Sequence, residues 1–403
     1  MQRAFQYRIY PTHEQVLRLE STLETCRHLY NNALAERIDA YKHEGKSVSY
    51  GEQARCLPLL KGKAPVLSSV YSQVLQDCLR RLDKAYDNFF RRINSGAKPG
   101  FPRFKGEGRY RSFTYPAYGS AAKLGGNTLH LSKIGGIAAV VHRPLEGTPK
   151  TVTLSRQADG WYVSIACEVE AEPLPKTGND VGIDVGITDF ATLSDSHESI
   201  PNPRHLQKAQ SSLRKCQRRL ERRTKRDKTH RISAKQSHRR EKAKVLLALA
   251  HQRVQRARKD FQHKVAYALV RRFDALYVEN LNIKGMLRNH HLARVISDAS
   301  WGAFFQILRH KAERAIKIVI EVCPRNTSQN CSGCGEYVPK ALSVRTHSCP
   351  YCGLVLHRDK NAAENIRSRG RNSLPLAALP FCNGEEIGKG IAVSRKRSPL
   401  GQA

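Results

Sequence analysis

The amino-acid sequence points to a multidomain α+β protein, on three grounds. At 403 residues the chain is long enough for two to four domains. Apolar patterns of period 2 and period 3.6 follow one another in blocks. Two Cys-x-x-Cys pairs near the C-terminal end suit a small module held by a metal.

The first element reads as a strand, because Phe5, Tyr7 and Ile9 alternate with Gln6, Arg8 and Tyr10. Thr12 with Gln15 three residues on makes a capping box. It opens a helix expected to reach about Tyr41, with Val16, Leu19, Leu23, Cys26, Tyr30 and Leu34 on one face. Gly45 to Tyr50 read as a break. A second helical region is expected over 65–95, from Pro65 through Val74, Leu79, Leu82 and Phe89-Phe90 to the stop signal Asn94-Ser95-Gly96. Polar residues on its face, Tyr71, Gln73 and Gln76, are candidate nucleic-acid contacts or plain solvated positions.

Basic and aromatic residues then interleave in KPGFPRFK (98–105) and RYRSFTY (109–115). That mixture suits a phosphate backbone beside stackable bases, with Arg103 and Lys105 as contacts. It equally suits a loop whose aromatics anchor it to a core. Residues 127–170 read as β: Thr128–Leu131, Ile137–Val141, Val152–Leu154 and Trp161–Val169, with the hairpin turn Ala158-Asp-Gly160. With the first strand they suggest a small β-barrel around an inserted helical domain.

From Asp180 a strand carries Val181, Ile183, Val185 and Ile187 on one face and Gly182, Asp184 and Gly186 on the other. Residues 201–260 follow with 21 Lys and Arg against four acids. They read as two long helices around Arg223 to Ile232. Arg218, Arg219, Arg222 and Arg223 are candidates to line a nucleic-acid channel, the alternative being a solvated helical arm. Ala275–Val278 is a buried strand ending in Glu279. An amphipathic helix from about Asp298 carries Trp301, Phe304, Phe305, Leu308, Ala312 and Ala315, and Ile318–Val322 is the next strand. Strand, helix, strand is a βαβ unit, so part of this sheet is expected to be parallel. The tail over 372–403 mixes Pro, Gly, Ser and basic residues without period and reads as disordered.

Composition narrows the function. Hydrophobic residues make up 40 % of the chain, which excludes wholesale disorder. The longest apolar run, Leu374–Cys382, holds nine residues and two prolines, whereas a membrane span needs about twenty. MQRAFQYRIYP has no apolar core of a secretory signal, so a soluble, cytoplasmic protein is expected. Lys and Arg number 69 against 35 acids, a net charge of +34. A folded chain of that charge implies a polyanionic partner, most simply nucleic acid, because self-repulsion otherwise destabilises the compact state.

Cysteines number eleven, odd for a disulfide framework. Cys26, Cys56, Cys78, Cys167, Cys216, Cys323 and Cys382 read as scattered small hydrophobes. Cys331, Cys334, Cys349 and Cys352 form two pairs fourteen residues apart, each followed by glycine, Gly335 or Gly353. Four thiolates in tetrahedral array suit one structural Zn²⁺ with no open position. His347 and His357 lie near enough to substitute, and a redox pair is the other reading.

Asp184, Glu279 and Asp359 stand out among the acids. Asp184 sits between two glycines on its strand face, which leaves room for a metal and a substrate backbone. Glu279 ends an apolar strand, where a charge is costly unless a cation meets it. Asp359 follows the second Cys pair at a helix start. Converging, the three could hold two Mg²⁺ about 4 Å apart for in-line attack of water on a phosphodiester. Read singly, Asp184 is a turn residue, Glu279 a strand-end charge and Asp359 a helix N-cap.

The ordered set GIDVGI, LYVENLNIKGM, NTSQNCSGCG, CPYCG and RDKNAAENI, with KPGFPRFK upstream, resembles the TnpB (OrfB) family of insertion-sequence proteins, compact relatives of type V CRISPR effector nucleases. The resemblance implies a wedge-type β-barrel (1–10 and 105–178) with an inserted helical recognition domain (11–104). It also implies an RNase H-like (RuvC) nuclease domain (179–322 and 354–371) with an inserted zinc ribbon (323–353). Asp184, Glu279 and Asp359 match the catalytic acids, and the four cysteines match the zinc ligands. Implied partners are a guide RNA from the transposon end and double-stranded target DNA read beside a short adjacent motif; neither a membrane nor a protein oligomer is implied. Competing readings are an RNA-guided regulator that binds without cutting, a strand-transfer or accessory transposase, and a plain basic RNA-binding protein.

Overall fold

A computed structural model describes residues 1–195, 199–225, 237–341 and 343–373. It forms two compact units, Met1–Ala171 with Ala209–Arg256, and Glu172–Lys208 with the chain from Ala257 on.

The first unit opens with β1 (Gln2–Tyr10) and four helices, α1 (His13–Glu44), α2 (Tyr50–Lys63), α3 (Pro65–Ser68) and α4 (Ser72–Asn94). The capping box at Thr12 and Gln15 is present, and Gly45 ends α1 in the left-handed conformation at φ 65°. Helix α2 falls where the sequence shows no period. Its start was nonetheless written there, since Ser49 and Glu52 make a second capping box, and Pro58 inside it obscured the pattern. The region expected as one helix over 65–95 is two, because the chain turns at Ser69–Tyr71.

Six strands follow: β2 (Ser112–Tyr115), β3 (Ala122–Gly125), β4 (Thr128–Leu131), β5 (Gly135–Val140), β6 (Thr148–Gln157) and β7 (Gly160–Glu168). With β1 they build one antiparallel sheet in the order β2-β6-β7-β1-β5-β4-β3. Among the described residues no ladder joins the edge strands β2 and β3, so the sheet expected as a barrel is seven-stranded and unclosed by backbone pairing. Its buried face (Phe5, Tyr7, Ile9, Val163, Ile165) shares one core with Leu19, Leu23 and Cys26 of α1 and Val74, Cys78 and Leu82 of α4. Helices α5 (His205–Glu221) and α6 (His238–Arg272) are the two long basic helices expected; the residues between them, 226–236, lie outside the described ones.

The second unit carries β8 (Asp180–Val185), β9 (Asp189–Leu193), β10 (Ser199–Pro201), β11 (Ala275–Glu279), α7 (Ile283–Met286), α8 (Ala293–Ala299), α9 (Trp301–Arg314) and β12 (Ile318–Val322). A small hairpin, β13 (Thr346–Ser348) and β14 (Val355–His357), leads into α10 (Arg358–Asn372). The main sheet runs β10-β9-β8-β11-β12, with β8, β11 and β12 parallel, β9 antiparallel to β8 and β10 antiparallel to β9. The expected parallel βαβ unit is thus present. Asp298 belongs to α8 rather than to the amphipathic helix, and its carboxylate accepts from the Leu206 amide at 3.0 Å at the head of α5.

One sheet face, Val181, Ile183, Val185, Leu276 and Val278, packs with Leu269 and Val270 of α6 and Trp301, Phe304 and Leu308 of α9. On the other face lies α10. A Cβ on Gly182 would sit 2.0 Å from the Ala363 carbonyl oxygen, and one on Gly370 2.0 Å from the Tyr277 ring. The space at Gly182, expected to serve a metal and substrate, is therefore filled by α10. Asn372 ends that helix, and the rest of the expected disordered tail, 374–403, lies outside the described residues, including Leu374–Cys382. Among the described residues no helix is long and apolar enough to cross a membrane.

Candidate active site

Strand register brings the first two acids together. The last paired residues of β8 and β11 are Ile183 and Val278. Asp184 and Glu279 each come one residue later, at the C-terminal ends of adjacent parallel strands, where ligands of such sheets gather. By strand alternation both face the α10 side, as Gly182 and Tyr277 do. Asp359 comes from the first turn of α10, where the helix dipole favours a carboxylate. It is not the N-cap: His357 caps, its Nδ1 accepting from the Asp359 amide at 3.3 Å.

Several interactions fix α10. Asp180, fully buried at its side chain, accepts from Arg367 at 2.7 and 2.9 Å and from Arg371 at 2.5 and 2.7 Å. Asn361 accepts from the Ser332 amide at 2.9 Å and donates to the Asn330 carbonyl at 2.7 Å. Asn365 donates to the carbonyls of Thr327 and Asn330 at 2.8 and 2.7 Å. The two asparagines tie the helix to the chain entering the first Cys pair. Lys360 reaches from α10 to the Ser194 carbonyl at 2.5 Å, beyond β9.

Electrostatics links the three acids. Burial raises the pKa of Asp184 well above the ordinary carboxylate value, and the charges of Glu279 and then Asp359 raise it further, against Arg358. Burial also raises Glu279, opposed by the Thr327 hydroxyl, which donates to it at 2.5 Å, and by Arg369. Arg345 approaches Asp359 at 3.9 Å. Among the described residues only the four cysteines bring three or more metal-ligand atoms within 4.8 Å of one another, so the acids are spaced more widely than a single-ion cluster. A set shared between two ions about 4 Å apart need not be that tight. Hard carboxylate oxygens, two of which raise the proton affinity of the third, fit a divalent cation.

The cysteines do form a compact set. Cys331 and Cys352 sulfurs lie 3.5 Å apart, and Cys334 and Cys349 3.6 Å. Gly335 and Gly353 take φ 82° and 73°, and their amides close turns onto the carbonyls of Cys331 and Cys349. Burial opposes ionisation of Cys349, but the amides of Cys352 and Tyr351 pull its pKa down to about 7. This donor set fits Zn²⁺. Neither histidine joins it: His347 is buried with Nδ1 on the Lys340 ammonium, and His357 caps α10.

The other candidates scatter. Tyr71 caps α4 and stacks on Tyr115 at 5.8 Å, so it belongs to the first unit's core, and Gln73 and Gln76 are half-buried rather than exposed. Arg103 is exposed, whereas the Lys105 backbone is tied to Asn31 of α1 by two hydrogen bonds. Arg218, Arg219 and Arg222 are exposed on and just past α5, and the guanidinium of half-buried Arg223 donates to the Arg239 carbonyl at 3.1 Å. Sequence reasoning missed Asp180, Thr327, Asn361 and Asn365, all buried polar residues that act through hydrogen bonds. Asp180 carried one signal, an acid opening an apolar strand.

A family model described as "Probable transposase" matches residues 164–290, one for a "Cas12f1-like, TNB domain" matches 301–366, and one for a "Helix-turn-helix domain" matches 1–46, where the structure has one strand and one long helix. A Streptomyces pristinaespiralis protein named "Putative RNA-guided DNA endonuclease" is 36 % identical over 414 residues, spanning 100 % of this chain and 95 % of its own. An Escherichia coli protein of the same description is 30 % identical over 420 residues, covering 100 % and 98 %. A TnpB-like protein of Acanthamoeba polyphaga mimivirus is 29 % identical over 57 % of this chain and 45 % of its own. The fold is similar to that in the "Cryo-EM structure of the Cas12f1-sgRNA-target DNA complex", with a TM-score of 0.53, 14 % identity, and 88 % and 82 % coverage. Relatives 36 % and 30 % identical that span the whole of this chain make it a member of the TnpB (OrfB) family.

Proposed function

We propose that the protein is an RNA-guided DNA endonuclease of a transposable element, with Asp184, Glu279 and Asp359 as its catalytic acids. The observation that carries this is the parallel register of β8 and β11, which sets Asp184 beside Glu279 at adjacent strand ends on the α10 side, with the charge of Asp359 also felt at Asp184. A strand order with β8 central, two antiparallel ladders on one side and two parallel ladders on the other supports reading the second unit as RuvC-like. On that reading the sheet of the first unit is the wedge and α1–α4 the recognition helices. The segment holding the four cysteines is then a zinc ribbon.

The three acids would hold two Mg²⁺, and Cys331, Cys334, Cys349 and Cys352 one Zn²⁺. Held by these acids, Mg²⁺ would supply an activated water and charge stabilisation for the leaving 3′-oxygen. The chain's own contribution is positional. Parallel register sets Asp184 beside Glu279, Thr327 orients Glu279, and the Asp180 fork with the two asparagines fixes the helix that carries Asp359. The closed Cys site does no chemistry; through Asn361 and Asn365 it steadies the start of α10. Guide RNA from the transposon end would supply sequence by pairing, and the basic surfaces would hold hybrid and RNA by their phosphates.

Two measurements test this. Sequencing the RNA that copurifies with the protein should find a constant segment followed by a variable 3′ segment. Replacing that segment should redirect Mg²⁺-dependent cutting to the matching DNA beside an adjacent motif. Cutting that ignores the RNA, or end joining without it, would overturn the proposal in favour of a strand-transfer enzyme.

A further inference from the structure

The loop after α4 is held in a way its own packing does not explain. Phe101 is seated edge-on against Tyr86 and Phe89 at 5.7 and 5.3 Å, and Phe89 and Tyr86 in turn lie 5.2 and 6.3 Å from Phe90. Pro102 is buried. The Lys105 amide donates to Asn31 at 2.8 Å, its carbonyl accepts from Asn31 at 3.0 Å, and its ammonium lies 5.3 Å from the Tyr30 ring centre. A Cβ on Gly100 would lie 3.1 Å from an Arg92 guanidinium nitrogen, so that cation lies on the loop.

Pinned at both ends, the loop nevertheless turns Arg103 and Phe104 outward. Phe104 is 56 % exposed and Phe90 54 %, with Ile93 and Phe101 at 46 % and 48 %. A fixed loop that holds large apolar groups in water marks a binding surface. The neighbouring charge points to the partner: Arg91, Arg92, Lys98, Arg103 and Lys105 fall between Asp87 and Glu107, five cations within a segment bounded by two acids. Aromatic faces set among cations match unpaired bases strung on phosphates. A duplex hides its base faces, so the fit is to single strand.

We infer that Phe90 and Phe104, with Arg92 and Arg103, form a stacking site for unpaired nucleotides. The inference deepens the nucleic-acid reading above and rests on it only for the class of partner. Guide RNA and displaced DNA share this chemistry, and the test separates them.

Fluorescence anisotropy of the full chain with labelled U12, dT12 and a blunt duplex, across a salt series, gives the readout. Phe90→Ala with Phe104→Ala should weaken single-strand binding about tenfold or more, leave duplex binding unchanged, and keep the salt slope, because the slope counts phosphates and not rings. The larger loss on U12 assigns the site to RNA, and on dT12 to DNA. Phe104→Trp should keep affinity, and its fluorescence should be quenched by the oligonucleotide. The inference fails if single-strand affinity is unchanged, if duplex and single strand weaken alike, or if Phe104→Leu binds as well as the wild type. Guided DNA cutting that persists beside such a failure would leave the nuclease reading standing. All of these variants change half-exposed rings, and an unchanged thermal midpoint shows that the fold is kept.

Discussion

Asp184 is a carboxylate that folding makes reluctant to ionise. Its folded pKa is raised, so the stability it contributes is present below the unfolded value near 4 and is lost as pH rises through the raised one. Without a metal, Asp184→Asn should therefore stabilise the protein at neutral pH, by about 2–4 °C for each kcal/mol relieved. Calorimetry in chelator measures this; a lowered midpoint would mean that the acid is already paired in the fold. The same shift sets a pH dependence. Protons compete with metal at Asp184 and Glu279, so cutting should rise with pH through their raised pKa values, and extra Mg²⁺ should move the rise to lower pH. A flat profile over pH 5 to 8 would contradict this. Asp184 and Glu279 stood out by position, one between glycines on a strand and one ending an apolar strand, whereas Asp359 is ordinary at a helix start and became a candidate with them through the order of the motifs. Asp180, Thr327, Asn361 and Asn365 were not, since a buried hydrogen bond between distant segments leaves no period in the sequence.

At the scale of elements, α10 decides whether the third acid meets the other two. Its seat is a pair of glycines and a carboxylate gripped by two guanidiniums. Asp180→Ala removes four hydrogen bonds that hold Arg367 and Arg371, and because both guanidiniums are partly exposed and can turn to water it should cost about 1–3 kcal/mol in the second unit. Gly182→Ala should also destabilise, since its Cβ meets the Ala363 carbonyl at 2.0 Å and overpacking typically costs about 1–3 kcal/mol. Chemical denaturation reads both, and a variant as stable as the wild type would mean that α10 can shift. Elemental analysis should find one zinc per chain, absent from Cys331→Ser with Cys349→Ser. Strong periodicity made β1, α1, β7, β11 and β12 legible. Helix α2 escaped because Pro58 and few apolar positions hid it, although its capping box was there to read. Strands β2, β3, β9 and β10 escaped because pieces of three to five residues take their identity from the ladder they join.

Over the whole molecule, charge is the dominant fact. The +34 chain places half of its excess in 201–260, along α5 and α6 and the stretch between them. Neutralising Arg218, Arg219, Arg222 and Arg223 together should lower the salt slope of RNA binding by up to about one for each phosphate they had neutralised. An unchanged slope would mean that these arginines face solvent alone. Composition pointed to a polyanionic partner, and motif order pointed to the family. The pairing of strands could not be read, because register is a property of two segments at once. That three acids far apart in sequence work as one centre is tested most directly by Asp184→Ala, Glu279→Ala and Asp359→Ala made singly, each measured for guide-dependent target binding and for cutting of the same DNA. All three should bind as the wild type does and cut at least about a thousandfold more slowly, on the order of 4 kcal/mol of barrier; any one that still cuts at the wild-type rate contradicts it.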